Sequence, residues 1–523
     1  MSRFQPSSPI RAVATIALVA TTPAAARDSS VPPAVELVRA VRAHVAPREA
    51  DLVREFASLL ALPNLASDEQ GIHRNATHIA ALLERRGVSV RLLEGEGGPP
   101  VVYGERRAPG ARGTLAYYAH YDGQPVDEAQ WASPPWSPVL RDGPLRPGAR
   151  EIPIESLRGG VDGEWRIFAR SASDDKAQIL ALAAALDALA AVGTAPAVNV
   201  KIFLEGEEEA GSPHLRTVLE RERELLRADA WLFCDGPVHQ SRRMQLFFGA
   251  RGVTGVEITL YGPVRSVHSG HYGNWAPNPA LELAHLVAGL RDRDGRIGIA
   301  GYDDDVRPPT QAERAALPAV PDMDASLREE LALAATEAGD ARLVERMLLP
   351  ALNVRGLLSG AVGEKAANAI PTEARVSIDF RLVPDQTPDR VRERVEAHLR
   401  AQGYSVTHDE PTLEERRARP RLVRLEWGPG YPAARTAMEL PFSRALLRTV
   451  EDAAGPGLIA LPTLGGSLPI HVFDEVFGVP VVGLPIANHD NGQHAANENL
   501  RLKNLWDGIA VHAAILAGMG EGW

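Results

Sequence analysis

The stretch "GTLAYYAHYDGQPVD", residues 113–127, begins as an apolar run and ends in His120, Asp122 and Asp127. Near-continuous apolar runs of this length, bounded by turn residues, belong to strands covered on both faces. Gly123 and Pro125 supply the turn that stops the strand. A turn does not require an imidazole and a carboxylate two residues apart. They are either loop decoration or the first pieces of a site.

Working outward, "THIAALLERRG" has helical periodicity, "DKAQILALAAALDALAAVG" reads as a long helix, and "VNVKIFLEGEEE" and "ADAWLFCDG" read as strands. That alternation predicts an α/β domain, a mixed or mostly parallel sheet flanked by helices. Between Trp131 and Trp165 the chain is too rich in Pro and Gly for regular structure and reads as surface loop. After Gly249 the character changes. "GVTGVEITLYG" and "ARVSIDFRLV" alternate with period two, and "PDRVRERVEAHLRAQG" is an amphipathic helix. Beyond Pro429 the helix, buried strand and helix pattern returns. The expected organisation is one α/β domain, residues 27–249 and 430–523, interrupted by a smaller α+β domain at 250–429.

The chain has 523 residues and a formal charge of −11, with 45% hydrophobic and 24% charged residues. Such a length supports more than one core, and the acidic balance argues against nucleic acid as a partner. Residues 1–26 carry arginines at 3 and 11, an apolar run from Ala12 to Ala20 and "AAA" before Arg27. This is the pattern of a signal peptide, so a secreted or periplasmic protein is expected. No other segment approaches the length of a membrane span, and no membrane association is expected once the leader is removed. Cys234 is the only cysteine, which excludes an intrachain disulfide.

Polar clusters recur after apolar strands: His120 with Asp122, Asp174 with Asp175, the run Glu207, Glu208, Glu209, then Asp235, and finally His489 and His494. Ligands of open α/β sheets bind at the carboxyl ends of strands, so clusters spread along the sequence can converge there. Two imidazoles and several carboxylates brought together would need a cation to hold them. Imidazole and carboxylate without thiolate suit zinc, cobalt or manganese. Taken singly, each cluster is equally a helix cap, a turn or a solvated helix start.

Seven segments in order, "AHYDGQPVD", "SASDDK", "EEEAGS", "LFCDG", "HSGHYG", "NAIPTEARVSIDFRLVPDQ" and "GGSLPIHVF…NGQHAANEN", resemble the motif set of the co-catalytic zinc peptidase family. That family includes carnosinase, glutamate carboxypeptidase, aminoacylase and acetylornithine deacetylase, and the inserted segment with "HSGHYG" is most similar to the carnosinase-like dipeptidase branch. The resemblance implies two zinc ions per chain, with cobalt or manganese as alternatives. Asp174 would bridge them, His120 and Asp235 completing one ion, Glu209 and His494 the other. It further implies that Asp122 orients His120, that Glu208 is the general base, and that the Asp174–Asp175 peptide is cis. The inserted domain would act as lid and dimerisation unit, supplying His268 to a partner subunit's site as oxyanion donor. Arg381, Asn368, Gly466 and Ser467 would bind the substrate's carboxylate end. The strands "GVEITLYG" and "VSIDFRLV" are expected to present an edge or face for isologous pairing.

The sequence departs from the family at Ala169, Ser171 and Ala177, where glycines are usual, and at Leu464, where the carnosinase-like branch tends to have an acid. The expected function is hydrolysis of an amide beside a free carboxylate, with a dipeptide or short peptide as substrate. An N-acyl amino acid deacylase or carboxypeptidase is the alternative enzyme. A peptide-binding or dimerisation protein that has lost the chemistry is the alternative outside enzymes. The absence of G-x-S-x-G and H-E-x-x-H gives no support to a serine hydrolase or a single-zinc protease.

Overall fold

The computed structural model describes residues 1, 34–94, 97–337, 339–520 and 523. The expected leader, apart from Met1, lies outside the described residues. No helix among the described residues is long and apolar enough to cross a membrane.

Eight strands form the larger sheet, in the order Ser89–Leu93, Val101–Arg106, Asn199–Glu205, Thr114–His120, Ala230–Phe233, Val481–Gly483, Gln245–Phe247 and Ile459–Leu461. Thr114–His120 runs parallel to both its neighbours, while Val101–Arg106 pairs antiparallel with Asn199–Glu205. The apolar run that opens the sequence argument is explained by burial on both sides. Leu115, Tyr117 and Ala119 join the core beneath the helices Lys176–Ala191 and Leu502–Gly518. Ala116 and Tyr118 point to the opposite core with Phe203, Trp231 and Phe473. There Tyr118 stacks on Phe233 with ring centroids 4.1 Å apart. Each fully buried side chain of this size contributes about 1.5–3 kcal/mol relative to exposure.

A second, five-stranded sheet is built from residues between 252 and 427. Its order is Ala351–Leu358, Glu373–Leu382, Gly252–Tyr261, Leu422–Trp427 and Ser405–Thr407. One face is covered by the helices Pro279–Leu290 and Pro388–Ala401. The second of these starts where Thr387 accepts the N–H of Arg390 and Pro388 takes the first helical position; Val391, Val395 and Leu399 form its buried stripe. The chain between the two sheets is not confined to this unit. Val320 and Val344 join the core of the larger sheet, and Glu313 makes a buried ion pair with Arg435 at 2.6 Å.

Two sequence expectations need correction. "GVEITLYG" and "VSIDFRLV" lie inside the smaller sheet, so of the expected edge or face neither offers an edge; the edges are Ala351–Leu358, with Leu357 58% and Leu358 67% exposed, and Ser405–Thr407. The Pro- and Gly-rich segment 131–165 is not structureless either. Val139–Arg141 and Glu151–Ile152 pair beside Arg166–Phe168 and Asn499–Arg501 in a four-stranded sheet. Strands of two and three residues are too short to leave a periodic signature in so proline-rich a run.

Candidate active site

Register carries the first polar groups to one level. Tyr118 pairs with Phe233 in parallel strands, so two residues further on His120 and Asp235 leave the sheet side by side. On the other flank His120 pairs with Glu205, after which the chain turns into the Glu208–Ala210 helical turn. The loop before Asn499–Arg501 brings His494, and the segment before the helix Lys176–Ala191 brings Asp174.

Asp174 stands at the centre. One of its oxygens lies 2.9 Å from Nε2 of His120, and the other 3.2 Å from Nε2 of His494. His494 Nε2 is also 3.2 Å from Glu209. Ligand atoms of His120, Asp174 and Asp235 fall within 4.8 Å of one another, and so do those of Asp174, Glu209 and His494. Glu208 belongs to neither group.

Asp122 is fully buried and acts as a bracket. Its Oδ1 lies 3.3 Å from Nδ1 of His120 and accepts the N–H of Glu208 at 3.1 Å; its Oδ2 accepts the N–H of Glu209 at 3.0 Å. Gln124 donates to Glu209 at 2.7 Å. The Asp174–Asp175 peptide is cis, as the resemblance implies. Ser171 occupies the left-handed region at φ 62°, which accounts for the family's preference for glycine there. Here a side chain is retained, and its Oγ accepts from Asn64 at 2.8 Å and donates to the carbonyl of Asp122 at 3.3 Å.

Electrostatics test whether a cation suits these residues. Burial raises Glu208 well above the usual carboxylate range, and Asp235, Glu209 and Asp174 add to the rise. Burial and then the Asp174 charge push Glu209 up to about 7 and Asp235 up to about 6. Asp174 is held below its usual range, because hydrogen bonds from His120 and His494 outweigh its burial. Two imidazoles cannot neutralise four clustered carboxylates, and divalent cations can. The donor atoms are carboxylate oxygen and imidazole nitrogen; the Cys234 sulfur faces the carbonyl of Leu232 instead. The residues fit such ions.

The remaining expected residues form two further sets. Arg381 bonds Asp379 at 3.1 Å through Nε and Ser467 at 2.9 Å through Nη1, and Gly466 accepts the N–H of Arg251 at 3.1 Å. His268 and Asn368 meet elsewhere: Ser269 N–H donates to the Asn368 carbonyl at 2.9 Å, and His268 caps Gly270 at 3.0 Å. His268 is exposed, and among the described residues its ring contact is with His271. Sequence reasoning missed Tyr431, whose ring stacks on His471 at 4.6 Å. Its phenol is pushed up to about 12, by burial first and then by the Glu208 charge, and it bonds Ser467. It also missed Glu498, although an acid four residues after His494 was a visible signal.

The sequence profile of Peptidase family M20/M25/M40 matches residues 116–518. The chain belongs to this peptidase family. It is 26% identical to the Cys-Gly metallodipeptidase DUG1 of Saccharomyces cerevisiae over 81% of this chain and 82% of that protein. It is 27% identical to the β-Ala-His dipeptidase of Homo sapiens, over 81% of this chain and 78% of the relative. Among solved structures, the M20 family metallo-carboxypeptidase Sso-CP2 from Sulfolobus solfataricus superposes with a TM-score of 0.73 at 26% identity, covering 90% of this chain and 99% of that one. Human carnosine dipeptidase 1 shares the fold, with a TM-score of 0.70 at 23% identity over 93% and 99% of the two chains. These relatives overturn the secreted or periplasmic location expected from the leader. The peptidase is matched over four-fifths of its length by yeast Cys-Gly metallodipeptidases, and the reading of residues 1–26 falls outside the described residues.

Proposed function

We propose that this peptidase is a two-metal dipeptidase that cleaves the amide next to a free carboxylate. The observation that carries the reading is the pair of three-residue groups sharing Asp174, with Glu208 beside them and in neither. His120, Asp174 and Asp235 would hold one ion, and Asp174, Glu209 and His494 the other. Zinc suits the donor set, with cobalt or manganese as substitutes. When bound, such a pair lowers the pKa of a water toward neutrality and draws charge from the scissile carbonyl.

This chain's own residues do the rest. Glu208, raised above the ordinary carboxylate range by burial, takes a proton from the attacking water and returns it to the leaving amine. Asp122 holds the backbone of Glu208 and Glu209 and the imidazole of His120 with one carboxylate. Arg381 pairs with the terminal carboxylate of the substrate, assisted by Ser467 and Gly466, while Asn368, which sits beside His268, reaches that end from the partner subunit. His268 donates to the developing oxyanion from a partner subunit. The exposed edge Ala351–Leu358 supports a homodimer through the inserted 250–429 segment, since an unpaired apolar edge is a surface for strand pairing. Dipeptide substrates are supported by the names of the yeast and human relatives.

A carboxypeptidase is the second reading, favoured by the likeness to the Sulfolobus metallo-carboxypeptidase. A panel of dipeptides, N-acetyl amino acids and longer peptides, given to metal-loaded protein, separates the readings. Dipeptide hydrolysis is expected. Stepwise release of C-terminal residues from longer peptides would favour the second reading, cleavage of N-acetyl amino acids alone a deacylase, and inertness towards all three a binding protein.

A further inference from the structure

Glu498 is fully buried, four residues beyond His494, and its carboxylate is surrounded by donors from the segment that carries Asp174. Oε2 accepts from Arg170 Nη1 at 2.8 Å and from the N–H of Ser171 at 2.8 Å. Oε1 accepts the N–H of Ser173 at 2.9 Å, the Ser173 hydroxyl at 3.0 Å and the N–H of Asp174 at 2.9 Å. Its own carbonyl accepts the N–H of Ala169 at 3.1 Å. Arg170, 2% exposed, lies over the ring of Trp131 at 5.2 Å, so the counter-charge is also fixed. One carboxylate thus grips the backbone N–H groups of Ser171, Ser173 and Asp174 itself.

We propose that Glu498 is a positioning residue that sets Asp174 between the two metal positions. The inference rests on the two-metal reading. Glu498 does not touch the ligand atoms; it holds the peptide N–H of the shared ligand and belongs to the loop that brings His494. Charge-assisted bonds of this length are stronger than neutral ones, and a carboxylate held by five such donors defines one geometry for the segment that supplies them. A displaced Asp174 would weaken both ions together, because both use it. Losing Asp235 or Glu209 would weaken mainly the ion each one serves.

Glu498→Gln tests this. A glutamine can still accept on Oε1 from Ser173 and Asp174, but its amide then faces Arg170 and the Ser171 N–H, both donors. The measurement is a titration of metal-free full-length protein with cobalt(II) alone, followed by visible absorbance, with thermal unfolding of the same metal-free samples. Wild type should take up two equivalents. In Glu498→Gln the affinity for both should fall together, on the order of 10–100-fold, as is typical when a ligand's hydrogen-bond support is lost. Ser173→Ala removes one of the three Oε1 bonds and should weaken both several-fold with the unfolding midpoint close to wild type. Unchanged cobalt affinity in a folded Glu498→Gln protein, whatever its unfolding midpoint, overturns the proposal. If that variant does not fold, unchanged affinity in Ser173→Ala overturns it. Fewer than two equivalents in wild type would instead overturn the two-metal reading beneath it.

Discussion

Asp122 Oδ2 accepts the backbone N–H of Glu209 at 3.0 Å. The other oxygen of the same carboxylate takes the N–H of Glu208 at 3.1 Å and faces Nδ1 of His120 at 3.3 Å. A residue that ends one strand's turn therefore fixes the register of the acids that follow another strand. Adjacent acids of a helical turn point in different directions by geometry, and Asp122 fixes where that turn sits.

Asp122→Asn should accordingly damage two properties at once. The new amide keeps one acceptor and presents donors where an N–H or the imidazole stood. Activity is expected to fall by roughly 10–100-fold with metal affinity falling in parallel, the range seen when the partner of a ligating His is removed. Steady-state rates and metal content after dialysis check this. A rate loss with full metal retention would assign Asp122 to the Glu208 backbone alone.

Glu208 and Glu209 should separate cleanly. Glu208→Gln removes the base and keeps the ligands, so the rate should drop by about 10²–10⁴-fold with metal content unchanged. Glu209→Gln should release metal first. Elemental analysis beside the hydrolysis assay distinguishes them, and exchanged phenotypes would reverse the assignment of the two acids.

His512 offers a pH test away from the site. It is fully buried with Nε2 3.2 Å from Gln178, and burial lowers its pKa from 6.5 to about 3. The folded state keeps it neutral while the unfolded chain binds a proton below about pH 6.5, so its contribution is lost as pH falls. Between pH 6.5 and 4 the slope of stability against pH should shrink in His512→Gln by up to about 1.4 kcal/mol per pH unit. Denaturant melts of both proteins across that range measure the difference; parallel slopes would mean that His512 titrates normally in the fold.

The site was more legible than its supports. His120, Asp174, Glu209, Asp235 and His494 follow or precede apolar runs, and strand ends of a parallel sheet converge, so composition at those points carried information. Arg381 and Ser467 were named for one role and are in fact bonded to each other. Tyr431 went unread because a tyrosine after Gly430 has no period and no spacing, and Glu498 because its place four residues after His494 marks an acid near the site without saying which groups it holds. Their meaning arises from partners more than 300 residues away for Glu498, and from Ser467, about 36 away, for Tyr431. Pairing order was equally hidden: alternation identified 252–261 and 373–382 as strands, but their interior places depend on Leu422–Trp427 and on Ala351–Leu358, and the latter mixes exposed Asn353 and Arg355 with exposed Val354, Leu357 and Leu358.

That exposed edge and the exposed His268 lead to the remaining expectation, a dimer whose sites are completed across the interface. The His268 ring caps Gly270 and lies beside His271 in its own turn, while Glu208 lies in the buried cluster, so the two can be supplied by different subunits. A chain with His268→Ala and a chain with Glu208→Gln should each be inactive as a homodimer. Mixed and allowed to exchange, about half of the dimers become hybrids by random assortment, and each hybrid has one site with both groups intact. Recovery should approach about a quarter of wild-type activity. Subunit exchange is verified separately with differently tagged chains. Exchange without recovery would place His268 in the service of its own chain or outside the reaction, and a monomer at assay concentration would remove the interface altogether.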